Sequence, residues 1–266
     1  MRLKNQRLSS EDLLLIRKLT DEGKSLNFIS KEMGLLKTTI YYQVRKFKPR
    51  IKKEFIVNLN DFQIGELMGA FAGDGSYFHR RYDNSFPKRS SHYRIAYFLT
   101  YSKEIEYAMY IKELLKSLNL NPFSYKHEGT MAVAVNSKEY AEFIKNYLIW
   151  EKNKTLSIML RKDIDYSDDF LRGFARGLMD TDGYVEISNV SCACVSKELI
   201  NNLVNIFERY GLKYKLTEKH RDGKNILFLV RVYRDSLERY KEKIGFSNNH
   251  KIVSINKIIN NNYRKY

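Results

Sequence analysis

The sequence predicts an α+β chain. It consists of two copies of an αββαββα unit, each an antiparallel sheet with helices on one face, preceded by a separate all-α domain. Three observations predict this. Residues 62–78 (FQIGELMGAFAGDGSYF) return as residues 170–187 (FLRGFARGLMDTDGYVEI). An offset of 108 residues places Gly65 on Gly173, Gly69 on Gly177, Gly73 on Thr181, Asp74 on Asp182 and Gly75 on Gly183. Strand-like and helix-like stretches then follow each copy in the same order. Residues 9–47 hold helical periodicities separated by turn glycines. The expected divisions are an all-α domain at 1–47, a linker at 48–59, and halves at 60–162 and 163–266.

In the N-terminal domain Ser9 and Ser10 can cap a helix whose period is carried by Leu13, Ile16, Arg17 and Leu19, ending near Gly23. Ser25 caps a second helix holding Phe28, Ile29 and Met33, stopped by Gly34. A third spans 37–46, with Ile40 and Val44 inward and Lys37, Thr38, Thr39, Tyr42 and Arg45 towards solvent. The stretch KPRIKK at 48–53 is basic and broken by Pro49, which marks the linker.

Asp61 caps the first glycine-bearing helix, which runs to about Gly73. Strands at 76–79 and 93–101 follow, then a helix opened by Ser102-Lys103-Glu104 and reaching Leu118. A hairpin turns at Glu128-Gly129 between 123–126 and 131–135, and a helix at 137–148 closes the half. The second half offers strands at 184–187 and 190–195, and a helix opened by Ser196-Lys197-Glu198 that reaches Tyr210. A hairpin at 213–219 and 226–232 and a helix at 235–244 complete it. The Ser-Lys-Glu repeat lies at an offset of 94, so the first half carries about fourteen extra residues, 79–92. These put Arg80, Arg81, Lys88 and Arg89 at a hairpin tip, suited to phosphate contacts.

The repeated segment carries its own chemistry. Small residues at every fourth position lie along one helix face and let another backbone approach closely. The Asp-Gly that follows reads as the helix end, with the glycine free to turn left-handed into a strand. A carboxylate at a helix C-terminus faces the negative end of the macrodipole. Two such helices packed together add like-charge repulsion, so the pair calls for a compensating cation.

LMGAFAGDG (67–75) and ARGLMDTDG (175–183) resemble the two signature motifs of a single-chain LAGLIDADG homing endonuclease. Ala72 departs from the pattern, and the second copy keeps Asp180 there. The resemblance implies two sheets forming a concave saddle over duplex DNA across residues 60–266. It implies that Asp74 and Asp182 bind divalent metal and that both strands are cut. The carbonyls of Gly73 and Thr181 are implied as supplementary ligands. A lysine near the scissile phosphate is implied in each half: Lys152 or Lys154 in the first, Lys251 in the second. Thr100 and Cys194 occupy matching positions at that offset of 94, where the family often has a polar residue near the metal, and Cys194 is unusual there. Arg231 is a further expected DNA contact on its strand. An all-oxygen ligand set favours Mg²⁺, and the scattered histidines His79, His92, His127, His220 and His250 argue against zinc.

SLNFISKEMGLLKTTIYYQVRKF resembles a helix-turn-helix, in which the second helix of the pair enters the DNA major groove. The composition agrees with a nucleic-acid partner. The net charge is +16, and residues 1–53 hold 14 Lys and Arg against 5 Asp and Glu. No apolar run is long enough for a membrane span and the N-terminus has no signal core, so a soluble, cytoplasmic monomer without membrane partners is expected. Cys192 and Cys194 are alternate strand residues, expected to be reduced. Two other functions stay open on the same scaffold: a DNA-binding regulator without cleavage, and a maturase acting on intron RNA. The chain lacks an initial Cys or Ser and a terminal His-Asn pair, so it reads as free-standing rather than an intein.

Overall fold

A computed structural model of the chain describes residues 8–48, 54–80, 92–220 and 222–262. The chain divides after Lys53 into two compact units. Of the expected hairpin tip, Arg81, Lys88 and Arg89 lie outside the described residues.

The first unit is three helices: α1 (Ser10–Asp21), α2 (Leu26–Met33) and α3 (Lys37–Phe47). Ser9 closes a capping box with Asp12 at the start of α1, and Ser25 caps α2 through Phe28 N. Gly34 ends α2 at φ 61°, where a side chain would be strained. One isoleucine from each helix, Ile16, Ile29 and Ile40, forms a fully buried core. Leu13, expected on the apolar face, is 41% exposed instead, because Ile16 and Leu19 already fill the seam.

The second unit opens with α4 (Asp61–Ala72), capped by Asn60 rather than Asp61. Strands β1 (Gly75–Arg80) and β2 (His92–Thr100), helix α5 (Ile105–Ser117), strands β3 (Phe123–His127) and β4 (Thr130–Val135) and helix α6 (Lys138–Tyr147) follow. A connection that sequence reasoning missed comes next: β5 (Leu148–Ile149), α7 (Lys154–Ser157) and β6 (Met159–Leu160), with β5 and β6 paired. The order then repeats as α8 (Asp168–Thr181), β7 (Gly183–Val185), β8 (Val190–Cys194), α9 (Lys197–Arg209), β9 (Tyr214–Lys219), β10 (Leu227–Val232) and α10 (Leu237–Lys243). A last helix, α11 (Asn249–Asn262), was also not anticipated.

Both sheets are antiparallel with the same strand order, β1-β2-β4-β3 and β7-β8-β10-β9. Each is covered on one face by the helices, where Ile95, Tyr97, Leu99, Val133 and Val135 join Val190, Cys192, Val230 and Val232 in one core. Within it the Tyr97 and Tyr140 hydroxyls hydrogen-bond each other, which satisfies two groups that have no access to water. Cys192 and Cys194 are free thiols. Among the described residues no helix is long and apolar enough to cross a membrane.

Two expectations about the repeat need correction. Gly75 lies opposite Tyr97 and Gly183 opposite Cys192, which sets the strands in register at an offset of 95, not 94. The helices begin at Ile105 and Lys197, so the residue matching the cap Ser196 is Glu104, not Ser102. A one-residue slip in a strand exchanges its faces. Thr100 and Cys194 are therefore not equivalent.

Candidate active site

The site is built on the contact between α4 and α8. A Cβ on Gly65 or Gly69 would fall well under 3 Å from the carbonyl oxygen of Phe170 or Phe174. Reciprocally, one on Gly173 or Gly177 would strike the carbonyl of Phe62 or Glu66. The helices thus meet backbone to backbone along their length. The contact continues to their ends, where a Cβ on Gly73 would strike the Thr181 side chain and lie 3.1 Å from Asp182 Cγ.

Each helix delivers its aspartate just before a strand, Asp74 ahead of β1 and Asp182 ahead of β7. The glycines that follow were expected to turn left-handed, and they do not. Gly75 is required for space: its Cβ would lie 2.6 Å from Phe71 Cα, and the Gly183 Cβ would lie 2.9 Å from Met179 Cα. The helix end and the strand start are packed too closely for any side chain.

Burial pushes the Asp74 carboxyl up to about 7, and the neighbouring charges of Asp182 and Glu104 add to the effect. Asp182 is raised by burial too, against the pull of Lys154 and Lys251. The charge of Asp182 thus acts on Asp74, and lysine charges act on both. Lys154 Nζ donates to the carbonyls of Phe71 (2.8 Å), Ala72 (2.8 Å) and Gly73 (3.1 Å). Lys251 Nζ donates to those of Met179 (2.9 Å), Asp180 (2.6 Å), Thr181 (3.2 Å) and Gly183. Each ammonium thus sits at the negative end of a motif helix and satisfies carbonyls that the helix leaves unpaired. Burial lowers the Lys154 ammonium to about 8 and lowers Lys251 as well, while the carboxylates oppose the shift in both. Lys152 is exposed, so Lys154 is the lysine of the first half that reaches the centre. The Gly73 and Thr181 carbonyls, expected as supplementary ligands, accept from these lysines here.

Sequence reasoning gave no site role to two further carboxylates, Asp180 and Glu104. Asp180 is fully buried and accepts from Ser247 N (2.9 Å) and Asn248 N (3.0 Å), which docks the chain leading into α11. Burial raises it to about 7, against those two donors. Glu104 accepts from Thr100 N at 2.7 Å and from Asn248 Nδ2 at 2.9 Å, tying the first half to the second. No sequence signal sets it apart. Glu198, from the same tripeptide in the second half, is ion-paired with Lys162 at 3.3 Å. Among the described residues no group of three or more His, Cys, Asp or Glu side chains is placed to hold a metal ion.

The expected DNA-contacting residues are scattered. Lys37, Thr38 and Tyr42 are exposed on α3 and Thr39 is half-buried, while the Arg45 guanidinium lies 5.0 Å from the Tyr41 ring centre. Thr100 is exposed at the end of β2, on the sheet face away from the helices. Cys194 faces the helices beside Asp182, and its thiol donates to Ser196 O at 3.1 Å. Arg80 ends β1 on the open face, and Arg231 is half-buried with Glu186 3.4 Å away.

Residues 169–245 match a family model described as a LAGLIDADG-like domain. Over 208 residues, 77% of the chain, the sequence is 28% identical to the Replication factor C small subunit of Methanocaldococcus jannaschii. The match spans only 11% of that protein's length. Among solved structures, the homing endonuclease I-DmoI in complex with DNA and Mn aligns with a TM-score of 0.55 at 17% identity, over 70% of this chain and 98% of that one. Its complex with DNA and Ca aligns with a TM-score of 0.57 at 15% identity, over 74% and 98%. The likeness is one of fold: a mixed α+β architecture with antiparallel sheets, resembling that of the LAGLIDADG homing endonucleases.

Proposed function

We propose that this chain is a site-specific, metal-dependent endonuclease that binds duplex DNA across its two sheets and hydrolyses one phosphodiester bond in each strand. The observation that carries the reading is the convergence of Asp74 and Asp182, delivered from matching positions of two helices in backbone contact, each at the start of its own sheet. Two sheets of identical strand order flanking one carboxylate centre suit a substrate with two antiparallel strands.

The donor set fits a hard divalent cation. Two buried carboxylates, both raised by burial and Asp74 further by the charge of Asp182, form an oxygen-only site, the kind that takes Mg²⁺. Asp74 and Asp182 would hold it, with the second lone pairs of the Gly73 and Thr181 carbonyls as supplements. When bound, the cation supplies charge neutralisation on the phosphate and help for the departing 3′ oxygen. The chain's own groups do the rest. Lys154 and Lys251 hold the helix ends in place and carry positive charge at the centre. The glycine contact fixes the separation of the carboxylates. Residues 8–48 act as a helix-turn-helix module, in which Lys37, Thr38 and Tyr42 on α3 add DNA contacts.

The test is cleavage of duplex DNA carrying an enriched binding sequence, with Mg²⁺ and with a chelator. Double-strand breaks are expected only with the metal. Asp74→Asn and Asp182→Asn should each abolish them while leaving DNA binding largely intact. Undiminished cutting by either variant would remove the assignment, and metal-independent binding without any cutting would leave a DNA-binding regulator.

A further inference from the structure

The two sheets repeat one topology, yet their open faces are chemically unlike. On the first sheet, strand alternation puts Phe78, Ala96, Phe98, Phe123, Tyr125, Ala132 and Ala134 on the face away from the helices. None of these belongs to the hydrophobic core on the other side. Ala96, Ala132 and Ala134 are nonetheless buried; Ala132 pairs with Phe98 and Tyr125, and Ala134 with Phe123. Those rings form edge-on or stacked pairs: Phe98 with His127 at 5.8 Å, Phe123 with Tyr125 at 6.1 Å and Phe78 with His92 at 6.2 Å between centres. Phe78 is half exposed. The described cations of this face are Arg80 at the end of β1 and Arg94 on the inner strand β2, whose guanidinium lies over Phe123 and whose Nε donates to Asn136 Oδ1 at 3.2 Å.

The second sheet carries more charge in the same place, with no phenylalanine on that face. Lys215, Thr217 and Lys219 alternate along β9 on its open face, opposite Arg231, Leu229 and Leu227. Lys215 and Lys219 are exposed, and Ser191 and Ala193 of β8, with Tyr184 and Glu186 from β7 and its end, complete the face.

A face of that first kind, exposed to water, needs an occupant with apolar groups of its own. Both faces run directly from the carboxylate centre, because β1 starts at Gly75 and β7 at Gly183. On the duplex-DNA reading above, a duplex across the centre crosses both. In the major groove the apolar group available is the thymine methyl, which takes contacts from Ala, Phe and Thr side chains. Guanine offers two acceptors that lysine or arginine reads.

Resting on the duplex-DNA reading above, we propose that the two half-sites differ in kind. The first sheet takes a thymine-rich half-site by contact of methyl groups with Phe78, Phe98, Phe123 and Tyr125. The second takes a guanine-bearing half-site through Lys215 and Lys219. The polarity of the target is set by the methyl content of one half.

The experiment is enrichment of bound duplexes by the full chain from a randomised library, without divalent metal so that nothing is cut. A parallel library carries uracil in place of every thymine, which removes the methyl and leaves the pairing unchanged. The expected result is a bipartite sequence with one thymine-rich half, and a loss of about four-fold in affinity for each buried methyl removed from that half. Phe98→Ala with Tyr125→Ser should bring the thymine-to-uracil ratio for that half towards one and leave the preference in the other half intact. Lys219→Met should do the reverse, weakening the guanine preference alone. Equal enrichment of both libraries, or a palindromic sequence, would overturn this inference and leave duplex binding standing. Capture of single strands but not duplexes would overturn the duplex reading along with it, and would mark the rings as a platform for unpaired bases.

Discussion

Replacing Gly69 by alanine tests the helix contact on which the site depends. A Cβ there would sit 2.7 Å from Leu178 N and 2.9 Å from Phe174 C, and closer still to Phe174 O. All three are backbone atoms, so no rotamer change can make room. Restoring ordinary contact requires α8 to retreat by about an ångström, in a core packed without slack. Overpacking of this kind costs about 1–3 kcal/mol. The gain in helix propensity from glycine to alanine returns up to about 1 kcal/mol. With a rigid obstacle the first effect wins, and a net loss of about 1–2 kcal/mol is expected in urea unfolding followed by circular dichroism. Cleavage should suffer more than stability, because an ångström of misplacement between catalytic groups costs on the order of a hundred-fold in rate. Gly177→Ala meets Glu66 O and, at 2.8 Å, Ala70 N on the opposite side of the same contact. Once the helices have parted, the second methyl meets less resistance, so the double variant should lose less than the sum of the two. An unchanged or raised unfolding midpoint with full cleavage would show that the helices are not held at backbone contact.

Other consequences follow from single buried groups. Lys154→Met strands three carbonyls at the end of α4 and removes a charge beside Asp182, so unfolding should become easier by about 1–3 kcal/mol, whereas Lys152→Met should change nothing measurable by the same denaturation. Glu66 is raised by burial, against hydrogen bonds that include Tyr110 at 2.6 Å. The folded protein therefore binds the proton more tightly than the unfolded chain. The stability contributed by this group is full below the ordinary carboxylate value and is lost as pH rises through the raised one. Glu66→Gln should accordingly lose less stability than the parent between mildly acidic and neutral pH, and parallel pH profiles in denaturant unfolding would contradict this.

The fold and the centre were legible to different degrees. Glycine spacing at i and i+4, repeated with an aspartate at its end, revealed a close helix pair because only a missing side chain permits backbone contact. The order of strands was legible from alternation and turns. Register was not. Ser-Lys-Glu recurs at an offset of 94, but hairpin geometry sets the strands at 95, which moved Cys194 beside Asp182 and left Thr100 on the open face. The role of glycine after each aspartate was misjudged, since a turn and a steric clash demand the same residue and differ only in φ. Glu104, Asn248 and Asp180 were invisible as a group, because they meet through chain segments 144 and 68 residues apart.

The remaining question about the centre is electrostatic. Asp74, Asp182, Asp180 and Glu104 surround it, and the opposing cations among the described residues are Lys154 and Lys251. With all four acids ionised the group carries two uncompensated negative charges inside a chain of net charge +16. Proton uptake is one way to relieve that deficit, and burial, which pushes Asp74 and Asp180 up to about 7, favours it. A divalent cation is the other, and the two must compete. Binding of Mg²⁺ should therefore release protons near pH 7, and affinity should fall as pH drops below 7 while levelling above it. The assay is calorimetric titration of the full chain with MgCl₂ in two buffers of different ionisation heat, since the difference in measured heat counts the protons released. Asp74→Asn should lower both the affinity and the proton count. Buffer-independent heats at pH 7, or an affinity indifferent to pH from 6 to 8, would mean that the acids at the helix ends do not bind the cation, and the lysines alone would then be what balances them.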